Sequence, residues 1–439
     1  MTQPASAPTS RPDNSGSSAR KIAAARNTGR KVATTALAAS GIVALLLGGY
    51  TAAVALTPLP EAIISIDAAA ATQTLDPAAA QATVDAQDLP TAIGWLEGEE
   101  VWTNDPEPQP LASLSKMVTV LVGLEQRPLE AGSDGFTHVW TAEDARQQEE
   151  YLAMDGVAFP IPVGTEVTQR QMLTLIFLPS ANDFAAAYAD SIFGDNASYL
   201  SAVEDWKVRH DLDSLTMAEP TGMDEANTAS AADVLRIARL VLNNPAAAEF
   251  TQMSTAELPW GIGVVENTNP LVATLPGVIG VKTGASSSAG YNLAVAQQID
   301  VLGRNVTQLA VTLGRASKED RAQSGRDALR AIALLPQETE VVAENEAVGT
   351  VTTVQGDRIP LLAERGSSSV LLPGESAERS VTLQATTLPV TATAGTRVGT
   401  IPIESPTGRD DIPVVTAETL TAPDFWWRVT HPVEVFGWG

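Results

Sequence analysis

A stretch of 25 residues without a charged side chain, at 32–56, sets the first limit on how this chain folds. It is long enough to cross the hydrocarbon core of a bilayer as a helix. The first 31 residues carry six Arg or Lys and one acidic residue, and a basic flank of this kind keeps the N-terminus in the cytoplasm. The sequence therefore predicts a basic, disordered cytoplasmic tail at 1–31 and a transmembrane anchor at 32–56, with the rest of the chain outside. The alternative is a signal peptide cleaved after the small residues 53–55, which would release a secreted protein.

Charge and composition exclude several classes of function. Beyond residue 56 the sequence has 21 basic and 51 acidic residues, a net charge of −30. Such a surface argues against binding nucleic acid and against docking on anionic lipid by charge. The chain has no cysteine, and His138, His210 and His431 lie too far apart in sequence to show a metal-ligand spacing. We therefore expect no metal and no cofactor, and any catalytic base is expected to be a residue other than histidine.

The pattern along the chain changes three times after the predicted anchor. Residues 57–90 are rich in Ala, Thr, Gln and Pro, which is typical of a flexible linker. Residues 91–335 begin with a hairpin pattern, continue with helical periodicity and end in strand-like runs, so they predict an α+β domain with one antiparallel sheet. Residues 340–420 consist of short β-rich runs separated by Gly, Pro and Ser, which favour a small all-β domain. Residues 421–439 form an aromatic tail that either packs back on a domain or lies at the membrane surface.

The stretch QPLASLSKMVTVLVGLEQ, residues 109–126, places Ser113 and Lys116 one helical turn apart at the start of an apolar helix. Residues at i and i+3 share a helix face, so the two side chains can meet. Packing of the apolar stripe would desolvate Lys116 and favour its neutral form, which can act as a base. Free backbone N–H groups at the helix N-terminus can stabilise an oxyanion. The pair can therefore generate a serine nucleophile without a histidine.

Two further motifs follow in order. Ser180-Ala181-Asn182 is the only Ser-x-Asn in the chain; Ser180 can relay a proton and Asn182 can hold a substrate amide. Lys282-Thr283-Gly284 ends a β-like run, where a lysine and a hydroxyl can bind a carboxylate and the glycine lets a substrate backbone approach. Taken alone, each motif also has an ordinary interpretation, as a helix cap or as a surface lysine. All three in order favour a catalytic site.

This set resembles the three motifs of the penicillin-binding and serine β-lactamase superfamily. Within it, residues 91–335 look like the low-molecular-mass D-alanyl-D-alanine carboxypeptidases. The resemblance implies a β-lactamase/transpeptidase-like domain, an antiparallel sheet with a helical subdomain, followed by a small all-β domain. One local departure is EPTGMD at 219–224, where an Asn-Pro-x-Gly-Leu run is usual.

The resemblance also implies roles for the motif residues. Ser113 would be the acyl-enzyme nucleophile, Lys116 its base and Ser180 the proton relay. Lys282 and Thr283 would bind the terminal carboxylate, and the backbone N–H groups of Ser113 and Ala285 would form the oxyanion hole.

The implied enzyme is a serine-type carboxypeptidase that removes the terminal D-Ala from peptidoglycan stem pentapeptides and is acylated by β-lactams. A D,D-endopeptidase and a β-lactamase-like hydrolase remain open, although the Glu-x-x-Leu-Asn segment of class A β-lactamases is missing. A catalytically inactive wall-binding protein is the alternative from another class.

Overall fold

Antiparallel pairing organises the sheets of this structure, a computed structural model that describes residues 17–130 and 132–438. The helices, in chain order, are α1 (Ser17–Leu56), α2 (Ala78–Asp85), α3 (Ser115–Gln126), α4 (Ala142–Ala153), α5 (Gln169–Phe177), α6 (Asn182–Phe193), α7 (Asn196–Arg209), α8 (Ala231–Asn243), α9 (Pro245–Thr251), α10 (Leu271–Thr274), α11 (Lys318–Ile332), α12 (Phe425–Thr430) and α13 (Pro432–Phe436). A 3₁₀ turn, Ala112–Leu114, precedes α3.

The strands, in chain order, are β1 (Ala62–Ile66), β2 (Ala71–Thr74), β3 (Thr91–Trp95), β4 (Val101–Thr103), β5 (Gln109–Pro110), β6 (Thr137–Val139), β7 (Glu166–Thr168), β8 (Thr228–Ala229), β9 (Thr255–Leu258), β10 (Gly263–Glu266), β11 (Val278–Ser286), β12 (Gly290–Val301), β13 (Arg304–Arg315), β14 (Gln337–Val342), β15 (Ala347–Thr352), β16 (Arg358–Ala363), β17 (Ser367–Leu371), β18 (Ser376–Arg379), β19 (Thr382–Leu383), β20 (Thr387–Leu388), β21 (Arg397–Ser405) and β22 (Gly408–Thr416).

The first sheet has five strands in the order β11-β12-β13-β3-β4, with every pair antiparallel. The predicted hairpin at the front of the domain is β3–β4, and the predicted strand-like runs late in the domain are β11, β12 and β13. β12 and β13 are joined by Leu302 and Gly303, both with positive φ, as a tight hairpin turn requires. Helices α2 and α11 pack on one face of this sheet and α8 on the other. The predicted α+β fold is therefore confirmed.

Helix α3 runs through the core of the helical subdomain. Its predicted apolar stripe is buried, from Leu114 through Met117 and Val118 to Leu121 and Leu124. α6 packs beside it so closely that a side chain at Gly123 would collide with the ring of Tyr188. This close packing holds α3 and α6 together, and each of these helices has motif residues at or near its N-terminus.

The later all-β region is present, and its sheet has nine strands. Two of them come from the segment predicted to be a flexible linker, which is the main correction to the sequence prediction. β1 pairs with β15 and β20, and β2 pairs with β18. Ala62 and Ile64 are buried in the core of this region, and α2, also within 57–90, buries Ala80 and Val84. The predicted linker is wrong because its short apolar runs find partners almost 300 residues further along the chain.

The N-terminal helix is longer than the predicted anchor. Residues 1–16 lie outside the described part of the chain, but α1 already begins at Ser17, so the prediction of a disordered tail is wrong for 17–31. That segment is rich in Ala, Arg and Lys, which are good helix formers. The part of α1 that is long and apolar enough to cross a membrane is Thr35–Leu56, 22 residues with a mean hydropathy of 1.8.

The aromatic tail packs against the C-terminal end of α1. The Tyr50 hydroxyl donates to the Val429 carbonyl at 2.6 Å. The Arg428 guanidinium donates to the carbonyls of Val54, Ala55 and Thr57 at 3.1–3.3 Å. A cation is well placed there because the last carbonyls of a helix lack intrahelical partners.

Candidate active site

Ser113 lies in the 3₁₀ turn that leads into α3, and this turn is held from both sides. On one side the Leu111 N–H donates to the Asn227 carbonyl at 2.8 Å, beside the β5–β8 pair. On the other, Gly222 packs so tightly that a Cβ there would come 2.0 Å from the Ala112 carbonyl oxygen. Ala112 has φ +48°, a conformation that residues other than glycine rarely adopt. The surrounding packing therefore imposes a strained backbone directly before Ser113.

Lys116 is completely buried, and three oxygen atoms surround its Nζ atom. Ser113 Oγ lies at 2.8 Å, Asn182 Oδ1 at 2.5 Å and the Thr221 carbonyl oxygen at 2.6 Å. Burial lowers the pKa of Lys116 to about 7, although the nearby charges of Glu219 and Asp183 act in the opposite direction. Neutral lysine is therefore abundant near pH 7. In its neutral form Lys116 donates its two N–H bonds to Asn182 Oδ1 and to the Thr221 carbonyl oxygen. The lone pair on Nζ can then accept the proton of the Ser113 hydroxyl.

Ser180 precedes α6 and has φ +70°, again in the left-handed region. The alternative that Ser180 caps the helix is wrong, because Ala181 is the N-cap and no side chain caps it. The Ser180 hydroxyl is buried, and within residues 17–130 and 132–438 it has no hydrogen-bond partner. An unpaired buried hydroxyl is costly, so it is suited to a bound substrate or to proton transfer. The side-chain oxygen of Asn182 accepts from Lys116, while its amide nitrogen contacts, among the described residues, only the Met223 sulfur, at 3.3 Å.

The third motif lies on β11, the edge strand of the five-stranded sheet. Lys282 is 1% exposed, and among the described residues its Nζ meets only the carbonyl of Thr283, at 3.4 Å. Burial, then the charges of Lys116 and Arg321, lower the pKa of Lys282 well below its usual value. Thr283 Oγ1 donates to Thr268 Oγ1 at 2.7 Å. The ammonium form of Lys282 thus lacks the anion that would stabilise it.

Gly284 brings β11 against the nucleophile turn. A Cβ at this position would come 2.7 Å from the Leu111 carbonyl oxygen and 3.2 Å from the Ser113 nitrogen. Any side chain at Gly284 would therefore push the strand away from Ser113. Ala285 follows on the same strand, paired with Tyr291 of β12. The outer edge of β11 has no neighbouring strand in the described part of the chain, and an edge of this kind can pair with an extended peptide.

Sequence reasoning missed two contributors to this site. The Thr221 carbonyl completes the surroundings of Lys116, yet a backbone acceptor leaves no signal in a sequence. Arg321 of α11 donates to the carbonyls of Thr268, at 3.2 Å, and Gly284, at 3.5 Å, and lies over the ring of Tyr291. It adds a buried cation near Lys282, and no sequence spacing connects the two residues.

Comparisons with known proteins agree with this geometry. Residues 101–315 match the model of the peptidase S11 family, D-alanyl-D-alanine carboxypeptidase. The D-alanyl-D-alanine carboxypeptidase DacF of Bacillus subtilis (strain 168) is 27% identical over 218 residues, which are 48% of this chain and 52% of DacF. The D-alanyl-D-alanine endopeptidase of Escherichia coli (strain K12) is 26% identical over 234 residues, 52% of this chain and 70% of the relative.

Among solved structures, penicillin binding protein 5 from Haemophilus influenzae aligns with a TM-score of 0.52 at 17% identity. The alignment covers 75% of this chain and 96% of that protein, and it shows a shared fold. The chain spans about half the length of the curated carboxypeptidase that it matches. Residues 101–315, just under half of the chain, are thus similar to the peptidase S11 family of D-alanyl-D-alanine carboxypeptidases, and this similarity supports a low-molecular-mass penicillin-binding protein of the serine carboxypeptidase type.

Proposed function

We propose that this chain is a serine-type D-alanyl-D-alanine carboxypeptidase that acts on peptidoglycan stem peptides. The observation that carries the proposal is the buried Lys116 amine, 2.8 Å from the Ser113 hydroxyl, with its remaining hydrogen-bonding directions occupied by Asn182 and Thr221. A lysine so placed accepts the serine proton as the oxygen attacks a carbonyl carbon. No cofactor or metal takes part in these steps.

The substrate supplies the anion that the third motif lacks. In a stem peptide ending in D-Ala-D-Ala, the terminal carboxylate binds Lys282 and Thr283, and the peptide extends along the edge of β11. Ser113 Oγ attacks the carbonyl carbon of the penultimate D-Ala, and its proton passes to Lys116. The resulting oxyanion is held by the backbone N–H groups of Ser113 and Ala285.

Collapse of this intermediate breaks the peptide bond. Lys116 returns the proton through Ser180 to the leaving nitrogen, so that D-Ala departs as a neutral amine and the acyl group stays on Ser113. Water then attacks the ester and gives a proton to Lys116, which returns it to Ser113 Oγ as the ester C–O bond breaks. The shortened peptide leaves as an acid that ionises in water. Asn182 Nδ2, which has only a thioether partner in the described residues, is the donor available to the peptide amide carbonyl. A β-lactam follows the same route as far as the acyl-enzyme.

The test uses the full chain in detergent, a fluorescent penicillin and a stem pentapeptide. We expect covalent labelling and release of D-Ala, and Ser113→Ala is expected to abolish both while leaving the thermal unfolding curve in place. Full labelling of Ser113→Ala would disprove the nucleophile assignment. Cleavage of cross-linked dimers in preference to pentapeptides would make the enzyme a D,D-endopeptidase, the activity of the Escherichia coli relative. A folded protein that neither is labelled nor turns over peptide would be a wall-binding protein.

The proposal extends to location: α1 is retained as a single-pass anchor and the enzyme faces outward, where the cell wall is built. Arg428 and Val429 bind the last turn of α1, contacts that require residues 50–57 to remain attached. Cleavage after residue 55 would remove most of these partners. Cell fractionation tests this. The full chain should pellet with membranes, while a chain that starts at residue 58 behind a cleavable signal should be soluble. Mature protein found free, with its N-terminus near Leu56, would mean that α1 is a signal peptide.

A further inference from the structure

Glu219 lies in the turn that presents the Thr221 carbonyl to Lys116. Its carboxylate accepts the backbone N–H of Thr221 at 2.7 Å and of Gly222 at 2.6 Å. It also accepts from the Asn227 side-chain amide at 3.1 Å. The Asp224 backbone N–H also donates to it, at 3.3 Å. Within residues 17–130 and 132–438 no Lys, Arg or His forms an ion pair with Glu219, so N–H dipoles stabilise its charge.

The turn that Glu219 holds contacts the catalytic helix at two points and the nucleophile turn at a third. The Thr221 carbonyl accepts from Lys116 at 2.6 Å, and the Pro220 carbonyl accepts from the Thr119 hydroxyl at 2.7 Å. Gly222, at φ +83°, packs on the carbonyl of the residue before Ser113. A change in the shape of this turn would therefore move an acceptor of Lys116 and the backbone that orients the nucleophile together.

The charge of Glu219 also acts on Lys116. Among the neighbours that favour the ammonium form, Glu219 has the largest effect and Asp183 of α6 the next largest. Burial raises the pKa of Asp183 to about 6, so this carboxyl group itself loses its charge in the acidic part of the pH range. The other titratable groups around Lys116 and Glu219 are Lys282 of β11, Tyr151 of α4 and Tyr199 of α7. Burial lowers the pKa of the lysine and raises the pKa of both tyrosines.

We infer that Glu219 is a positioning residue for the catalytic lysine, since its carboxylate holds the Thr221 carbonyl against Lys116 Nζ and its negative charge opposes the effect of burial on that amine. The inference rests on the proposed function.

Glu219→Gln removes the charge and one of the two acceptors of the turn. The assay is the second-order rate of Ser113 labelling by fluorescent penicillin between pH 5 and 9, measured on the full chain in detergent. In the wild type the acidic limb should have its midpoint near the Lys116 pKa of about 7. In Glu219→Gln we expect the midpoint to move to lower pH, because the charge that favours protonation is gone. The plateau rate should fall about fivefold, the effect of losing roughly one hydrogen bond. The matched control is Glu225→Gln, an exposed acid near the same turn, whose profile should coincide with the wild type.

Glu219→Asp separates the two roles. It keeps the charge but shortens the side chain, so the acidic limb should stay in place while the plateau rate falls. The inference would be overturned if the acidic limb of the Glu219→Gln profile had the same midpoint as the wild type, even with labelling intact. It would also be overturned if the acidic limb of the Glu219→Asp profile moved. If Glu219→Gln does not fold, Glu219→Asp alone tests the inference, and a shift of its acidic limb from the wild-type position would overturn it. An unlabelled but folded wild-type protein would instead refute the proposed function, and the inference with it.

Discussion

Replacing Lys282 by Met is expected to make the free protein more stable while destroying its recognition of substrate. The side chain is 1% exposed, and within the described part of the chain its amine has one long contact, 3.4 Å to the carbonyl of the following residue. That distance is beyond the usual range for an N–H···O bond. Two further cations, Lys116 and Arg321, lie close enough to repel its charged form. The free protein therefore keeps a polar group in a place where nothing compensates for its lost hydration.

The magnitude follows from that missing compensation. An unpaired buried polar group costs about 1–3 kcal/mol, and methionine, unbranched and of similar length, fills the same space without a polar hydrogen. Imperfect packing of the methionine side chain offsets part of this stabilisation, so we expect the free energy of unfolding to rise by about 1–2 kcal/mol. For a domain of this size, each kcal/mol corresponds to roughly 2–4 °C in Tm.

The sign of the pH dependence is also determined. The pKa of Lys282 is lower in the folded protein than in the unfolded chain, where it has the ordinary value of 10.5. Between these two pKa values the unfolded chain binds a proton that the folded protein does not, so the contribution of Lys282 to stability rises with pH up to about 10.5. The advantage of Lys282→Met should be largest at neutral and lower pH and should shrink as the pH approaches that value.

Thermal and urea unfolding of the detergent-solubilised chain, at several pH values, measure these effects. The control is Lys318→Met, at an exposed position of α11, which should change the stability by less than about 0.5 kcal/mol. D-Ala release by Lys282→Met should be lost in the same samples. A variant that is less stable than the wild type, beside an unchanged control, would refute the reasoning. It would mean that Lys282 makes a favourable contact in the free protein.

Three further outcomes are expected. The rate of penicillin labelling should rise about 30-fold from about pH 5.5 to about pH 8.5, because only neutral Lys116, with its pKa of about 7, accepts the Ser113 proton; a flat profile would contradict this. Lys282→Ala should weaken substrates with a free C-terminal carboxylate by roughly 2–3 kcal/mol relative to their amides, and equal losses would refute the carboxylate role. Deleting residues 421–438 should leave labelling unchanged but raise the protease sensitivity of residues 50–57 in detergent; equal cleavage rates would show that the tail does not cover α1.

The fold could be predicted from sequence where its signals are local. The apolar period of α3 and the alternation of β3 and β4 lie within single elements, so their residues identify them. β1 could not be found in this way, because its five residues gain their stability by pairing with the distant strands β15 and β20, with Ile64 opposite Val351. A short run with a distant partner looks like a linker. The same limit hid the contact between α12 and the end of α1.

The residues of the candidate site also differ in whether the local sequence identifies them. Ser113 with Lys116 and Ser180 with Asn182 are pairs within one turn, and their spacing carries the chemistry. Thr221 and Arg321 reach the site only through tertiary packing, Thr221 by its backbone carbonyl. Glu219 was visible in the sequence as a departure from the usual run, but its purpose depends on the shape of the turn, which no spacing reveals.

Continuity between the anchor and the β-rich region changes how the active site is held. Only residues 57–61 separate α1 from β1, which lies inside the nine-stranded sheet, so the chain enters that sheet within a few residues of the proposed membrane surface. Arg304 of β13 joins the two regions by a bidentate pair with Glu375, at 2.5 and 2.8 Å, and donates to the Val370 carbonyl at 2.8 Å. A flexible linker of 34 residues would let a domain explore about 30–35 Å from its point of attachment. Because half of that segment lies in β1, β2 and α2 instead, the proposed membrane-anchored form would have the distance of Ser113 from the bilayer set by the β-rich region, and the substrate would have to reach the enzyme at that height.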